Sequence, residues 1–152
     1  MKAVVYNKYG SPGNIRVEEV DRPVPKNGEV LIQVKAASIN AYDWHLLRTK
    51  PFFTRFLAGL LKPKNSILGA DIAGDVVLIG SGVTRFKQGD EVYGCLESCG
   101  KGGLAAGGFA EYVCAKESVL APKPAALSFE ETSALPMAAI TALQGLRDKG
   151  EL

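Results

Sequence analysis

One histidine, three cysteines and no long hydrophobic run set the first limits on this 152-residue sequence. Cys95, Cys99 and Cys114 are few and odd in number, which excludes a disulfide framework and fits a reducing compartment. No stretch approaches the roughly 18 uninterrupted apolar residues of a membrane span. The opening MKAVVYNKYG has one early lysine but no apolar run and no small-residue cleavage site. No signal peptide is read there, and a cytoplasmic protein is the expectation. Charge of one sign is also scarce. A formal net charge of +2 argues against nucleic acid or an anionic membrane as partner. No Gly-x-Gly-x-x-Gly follows a strand pattern, so a dinucleotide-binding turn is missing. The glycine-rich stretch 100–108 lacks the Lys-Ser/Thr ending of a phosphate loop and precedes a strand, so it reads as a connection.

What is present suits a soluble domain with its own core: 47% hydrophobic and 22% charged residues. Lys2 to Tyr6 and Ile15 to Val20 read as strands separated by the turn Gly10-Ser11-Pro12-Gly13. After a proline-rich link ending in Asn27-Gly28, Glu29 to Ala37 alternates. Val30, Ile32, Val34 and Ala36 share one face, as in a half-buried antiparallel strand. Ile72 to Ile79 is a nearly continuous apolar run, a strand buried over most of its length. Glu91-Val92-Tyr93 and Phe109 to Ala115 add further strands between turns, which predicts a mainly β, barrel-like domain with short helices. Between them, Ala41 to Leu61 changes to helical period, with Phe52, Phe53, Phe56, Leu57, Leu60 and Leu61 recurring after Pro51. That segment is either a surface helix with a basic edge or a lid with a phenylalanine face. Ser128-Phe129-Glu130-Glu131 is a capping box. Pro136 breaks or restarts the helix that follows, and a second helix is expected from about Met137 to Asp148, with Gly150 as its cap. The chain stops two residues later, which reads as a truncation.

Five segments in order carry a resemblance: Ala37 to Trp44, Leu68 to Gly74, Gly80 to Val92, Gly108 to Val113 and Leu135 to Ala142. Together they resemble the medium-chain dehydrogenase/reductase superfamily, and within it the zinc-free, quinone oxidoreductase-like branch. The resemblance implies a GroES-like, partly open β-barrel over residues 1–127. It also implies that 128–152 form connecting helices toward a Rossmann domain outside this sequence. In such proteins the substrate lies in the cleft between the two domains, and the full-length protein is a homodimer.

Metal-using members carry zinc ligands at the positions of Asn40, Ala70 and Met137. Amide, methyl and thioether do not complete the thiolate and imidazole set that zinc takes. Cys95 and Cys99 alone do not close the four-cysteine structural site of those members. The expectation is no metal. Without a Lewis acid, hydrogen-bond donors must hold the negative charge that hydride delivery creates. That favours quinones and α,β-unsaturated carbonyls as substrates and NADPH, or NADH, as hydride source, bound mostly by the other domain. The alternatives are a zinc-type alcohol dehydrogenase relative and a stand-alone GroES-like binding module.

The resemblance implies site residues one by one. Asn40 is expected to bind the cofactor ribose or the substrate oxygen. Tyr42 stands where zinc-bearing relatives have the hydroxyl that begins a proton relay, so it is either the proton donor or packing at a strand-to-helix corner. Asp43 orients neighbours or caps a helix. Thr141 lies beside the nicotinamide or bonds back to its own turn. Trp44 and Phe52 wall the substrate pocket or belong to the core.

Overall fold

A computed structural model describes residues 1–49, 59–63, 66–96 and 107–150. Among the described residues seven strands form two antiparallel sheets. β1 (Lys2–Tyr6) and β2 (Ile15–Glu19) make a two-stranded ribbon. β3 (Glu29–Ser38), β4 (Asp71–Ile79), β5 (Glu91–Cys95), β6 (Tyr112–Lys116) and β7 (Leu120–Pro122) make a five-stranded sheet in the order β6-β3-β4-β5-β7. The ribbon is stitched to the rest by isolated bridges from Ala3 to Ala110 and from Val5 to Ile67. The architecture is the expected one: mainly β, few short helices, sheets that do not close. Among the described residues no helix is long and apolar enough to cross a membrane.

β3 is an interior strand of the large sheet, and its burial departs from strict alternation. Val30, Leu31 and Ile32 are all fully buried. β3 pairs with β4 on one side and β6 on the other, so no edge faces water there. Two register shifts, between Leu31 and Ile32 and between Val34 and Ala36, are bulges that twist the pair. Gly74 sits inside β4 opposite this twist, and a Cβ there would run into the Gln33 carbonyl. The main core gathers Val30, Ile32, Ile72, Val76, Val92 and Leu120 between the strands. A second cluster, Tyr6, Tyr9, Leu46, Leu47 and Leu68, fills the space under the first helix.

The helices differ from the expected ones at their ends. α1 covers Ala41–Arg48 and ends on Thr49, whose left-handed backbone (φ 48°) closes the turn through its N–H to the His45 carbonyl. Residues 50–58 of the predicted helix and lid, including Phe52, fall outside the described residues, while Leu60 and Leu61 lie exposed in a bend and not in a helix. α2 (Phe129–Ser133) begins on the expected capping box: Ser128 Oγ accepts from the Glu131 N–H, and the Glu131 carboxylate accepts from the Ser128 N–H. α3 (Pro136–Leu143) starts on Pro136 at its first turn, where a missing donor costs nothing, and runs on as a wider π-type turn over Gln144–Lys149. Gly150 ends that turn with an ordinary negative φ, so its left-handed freedom is unused. Ile140, Leu143 and Leu146 stand exposed along this last segment.

Candidate functional site

The end of β3, the start of β4 and the start of α3 meet at one carboxylate. Asp71 is fully buried at the first position of β4. Its Oδ2 accepts from Asn40 Nδ2 at 3.1 Å, from the Met137 backbone N–H at 2.9 Å and, at the long distance of 3.5 Å, from Ser38 Oγ. Its Oδ1 is buried and has no hydrogen-bond partner among the described residues. Asn40, Asp71 and Met137 therefore converge, although 97 residues separate the first from the last.

Asn40 is the N-cap of α1, with extended backbone and a half-buried side chain. Its amide nitrogen donates to Ser38 Oγ at 3.1 Å as well as to Asp71. Asp43, three residues on, takes the reciprocal place of the capping motif. Its Oδ2 accepts from the Asn40 N–H at 2.9 Å, and its Oδ1 accepts from the Gly69 N–H at 2.8 Å. Asp43 is thus an N3 residue that pins two backbones. It is not the N-cap. Gly69 must be glycine there: its φ is 97°, and a Cβ would meet Phe109 at 2.6 Å. Burial raises the Asp43 carboxyl above the usual aspartate range, the two backbone donors pull it down, and the Asp71 charge adds to the rise. Tyr6, under the same corner, is pushed up to about 12 by burial, with Tyr9 and Asp43 adding to it.

The other expected residues are placed as follows. Tyr42 turns toward the second cluster, and its hydroxyl oxygen is out of reach of solvent. Trp44, two residues on and so roughly 200° round the helix, is exposed. It makes an edge contact with His45 and lies under the Arg48 guanidinium at 4.6 Å. Thr141 is exposed one turn into α3, and its hydroxyl donates back to the Met137 carbonyl. The structure brings Asn40, Asp43 and the base of the Thr141 helix to one corner and puts Trp44 on a different face of α1 from Tyr42. Asp71 and Ser38 are the members that sequence reasoning missed. One signal was available: a carboxylate at the head of a largely apolar strand needs a donor set if it is buried, and Asp71 has one.

The donor chemistry at this corner departs from what zinc takes. Ala70 is fully buried and offers only a methyl group. Both hydrogens of the Asn40 amide point at other side chains, and the Met137 N–H is held by Asp71. These residues do not fit a tetrahedral zinc. Among the described residues no group of three or more His, Cys, Asp or Glu side chains is placed to hold a metal ion. Cys95 and Cys114 are half-buried thiols, and Cys99 falls outside the described residues.

Comparison with known proteins supplies the context. The family described as the alcohol dehydrogenase GroES-like domain matches residues 26–125. The chain is similar to the chloroplast envelope quinone oxidoreductase homolog of Arabidopsis thaliana, at 38% identity over 100% of this chain and 44% of that protein. It is 37% identical to the NADPH-dependent alkenal/one oxidoreductase of the same plant, over 96% of this chain and 37% of that one. Among solved structures, the quinone oxidoreductase from Coxiella burnetii superposes with a TM-score of 0.87 at 32% identity, covering 99% of this chain and 45% of that one. The chain spans less than half the length of the curated relatives it matches.

Proposed function

The chain belongs to the alcohol dehydrogenase GroES-like domain family, and from that premise we propose that the whole protein is a metal-independent oxidoreductase reducing a quinone or an α,β-unsaturated carbonyl with a reduced nicotinamide, NADPH first. The observation that carries this reading is the hydrogen-bonded cluster of Asn40, Asp71 and the Met137 N–H. Of the three positions where zinc-using members hold their metal, Asn40 is bonded to Asp71 through its side chain, Met137 is bonded to the same carboxylate through its backbone N–H, and Ala70 offers only a methyl group. The alkenal/one oxidoreductase, NADPH-dependent by name, supports the choice of cofactor and of acceptor.

When bound, the reduced nicotinamide supplies the hydride. Asn40 is half-buried and carries an amide oxygen free of Asp71, which fits a ribose hydroxyl or a carboxamide N–H. Thr141 spends its proton on the Met137 carbonyl, so its oxygen is an acceptor on the same side of α3 as that anchor. Asp43 positions Asn40 by holding its N–H. Tyr42 remains the proton-donor candidate. Its hydroxyl must swing out of the second cluster to serve a ligand, so its effect belongs on turnover and not on cofactor affinity. Tyr42→Phe separates the two roles: a loss of about 100-fold or more in turnover assigns the proton to it, and a change within about threefold assigns packing. Trp44 is the pocket wall on the exposed face of α1, with Phe52 beyond it in the chain.

We keep residues 1–127 as the catalytic domain and 128–152 as the connection to a nucleotide-binding domain. α2 docks with Thr132 and Ser133 buried, while the side chains from Ala138 onward are exposed, which supports a connection in this region. The whole protein is read as a homodimer working on small molecules in an aqueous compartment, the cytoplasm or, as for the relatives named chloroplastic, a plastid. The test is an assay of the whole protein with NADPH and NADH against a panel of quinones and enones. Saturable oxidation of NADPH with at least one of them is expected. Turnover only of simple alcohols with NAD, or no nicotinamide binding at all, would overturn the reading.

A further inference from the structure

Both hydrogens of the Asn40 amide are committed, one to Ser38 Oγ and one to Asp71 Oδ2. The orientation is dictated chemically: an amide oxygen turned toward the Asp71 carboxylate would set two acceptors against each other. Asp71 has no freedom to follow a displaced amide. It is fully buried, heads β4 and is tied by the same oxygen to the N–H of Met137 at the base of α3. The consequence is directional. The nitrogen end of Asn40 faces Ser38 and Asp71, and the carbonyl end, with two lone pairs, is left as the acceptor.

We propose that Asp71 is a positioning residue that turns Asn40 into a dedicated hydrogen-bond acceptor and fixes it relative to α3, so that the cofactor must present a hydroxyl or N–H donor to this corner. The proposal rests on the nicotinamide reading above and deepens it. It removes one role from Asn40: with no free N–H, it does not stabilise the negative charge on a reduced substrate oxygen. It also makes α3 part of the same device, because one carboxylate oxygen holds Asn40 and the helix that carries Thr141.

The experiment uses the whole protein and NADPH as the probe, with affinity read by fluorescence titration. Asp71→Asn keeps an acceptor oxygen for the three donors and can place its NH₂ where Oδ1 now lacks a partner, so its affinity stays within about threefold of the parent. Asp71→Leu removes the acceptor, frees the amide and weakens NADPH by about tenfold or more. Asn40→Ala does the same. The double variant Asp71→Leu/Asn40→Ala is no worse than Asp71→Leu alone, because the loss of Asp71 already removes the action of Asn40. Additive losses in the double variant, or an Asp71→Asn as damaging as Asp71→Leu, would overturn the proposal. Should Asp71→Leu fail to fold, the parent alone decides through ¹⁵N-asparagine labelling. The Asn40 side-chain hydrogens should exchange with solvent at least about tenfold more slowly than those of exposed Asn7. Equal rates would contradict the committed amide. A parent that binds no NADPH defeats the proposed function and leaves the amide-exchange measurement to judge Asp71 by itself.

Discussion

At the residue scale, the corner depends on carboxylates doing different work a few residues apart in space. Asp43 satisfies two backbone donors, and its carboxyl is raised by burial. Asp43→Asn keeps one acceptor oxygen but turns an NH₂ toward the second N–H. A loss of about 2 kcal/mol in unfolding free energy is expected for that unsatisfied contact. The pH dependence has a definite sign. Above the ordinary aspartate range the unfolded chain has released a proton that native Asp43 still holds, so this group's contribution to stability falls as pH rises until the native carboxyl also ionises. Denaturant titrations should show the Asp43→Asn deficit widest at the acid end and narrowing toward neutrality. A deficit that grows with pH would contradict the assignment. Cys114 offers a second check. Burial, with Glu29 adding and Lys26 opposing, pushes its thiol up to about 11. At pH 8 only roughly a thousandth is thiolate, so iodoacetamide should label it at least about tenfold more slowly than a free cysteine peptide. Labelling at the peptide's rate would show an open thiol. Sequence reasoning reached Asn40 and Asp43 because they stand in a recognisable segment. It missed Asp71 because a strand's first residue says nothing about which distant N–H comes to meet it.

At the element scale, the strands were legible and the helix ends were not. Apolar runs and glycine turns marked β1 to β5 to within a residue or two, since a strand's burial is written in its own side chains. The short β7 and the late start of β6 depend on pairing with β5 and β3 and with no local signal. α1 stops at Thr49 through a left-handed residue that is not glycine, which composition alone does not announce. The glycines give a contrast in one measurement. Gly74 lies against the Gln33 carbonyl at the twisted β3–β4 pair, while a Cβ on Gly145 meets nothing within 4 Å. Gly74→Ala should cost about 3 kcal/mol by forcing the strands apart. Gly145→Ala, in a helical turn, should be neutral or gain up to about 1 kcal/mol. Thermal melts of the two variants side by side check this, and a tolerated Gly74→Ala would mean that the pair is looser than described.

At the scale of the whole molecule, the open barrel sets three chain segments around one corner, and that corner defines what chemistry is available. The fold class followed from short strands with regular turns and from five ordered motifs. The internal bonding of the corner did not, because hydrogen-bond direction is a property of three-dimensional approach. In the proposed function, hydrogen bonds and no metal ion hold the charge created when hydride is delivered. The most direct measurement is NADPH-dependent turnover of a quinone by the whole protein before and after exhaustive treatment with a strong zinc chelator. Rates that agree within about twofold are predicted, since no polarising ion is being removed. A loss of tenfold or more that added zinc restores would contradict the account.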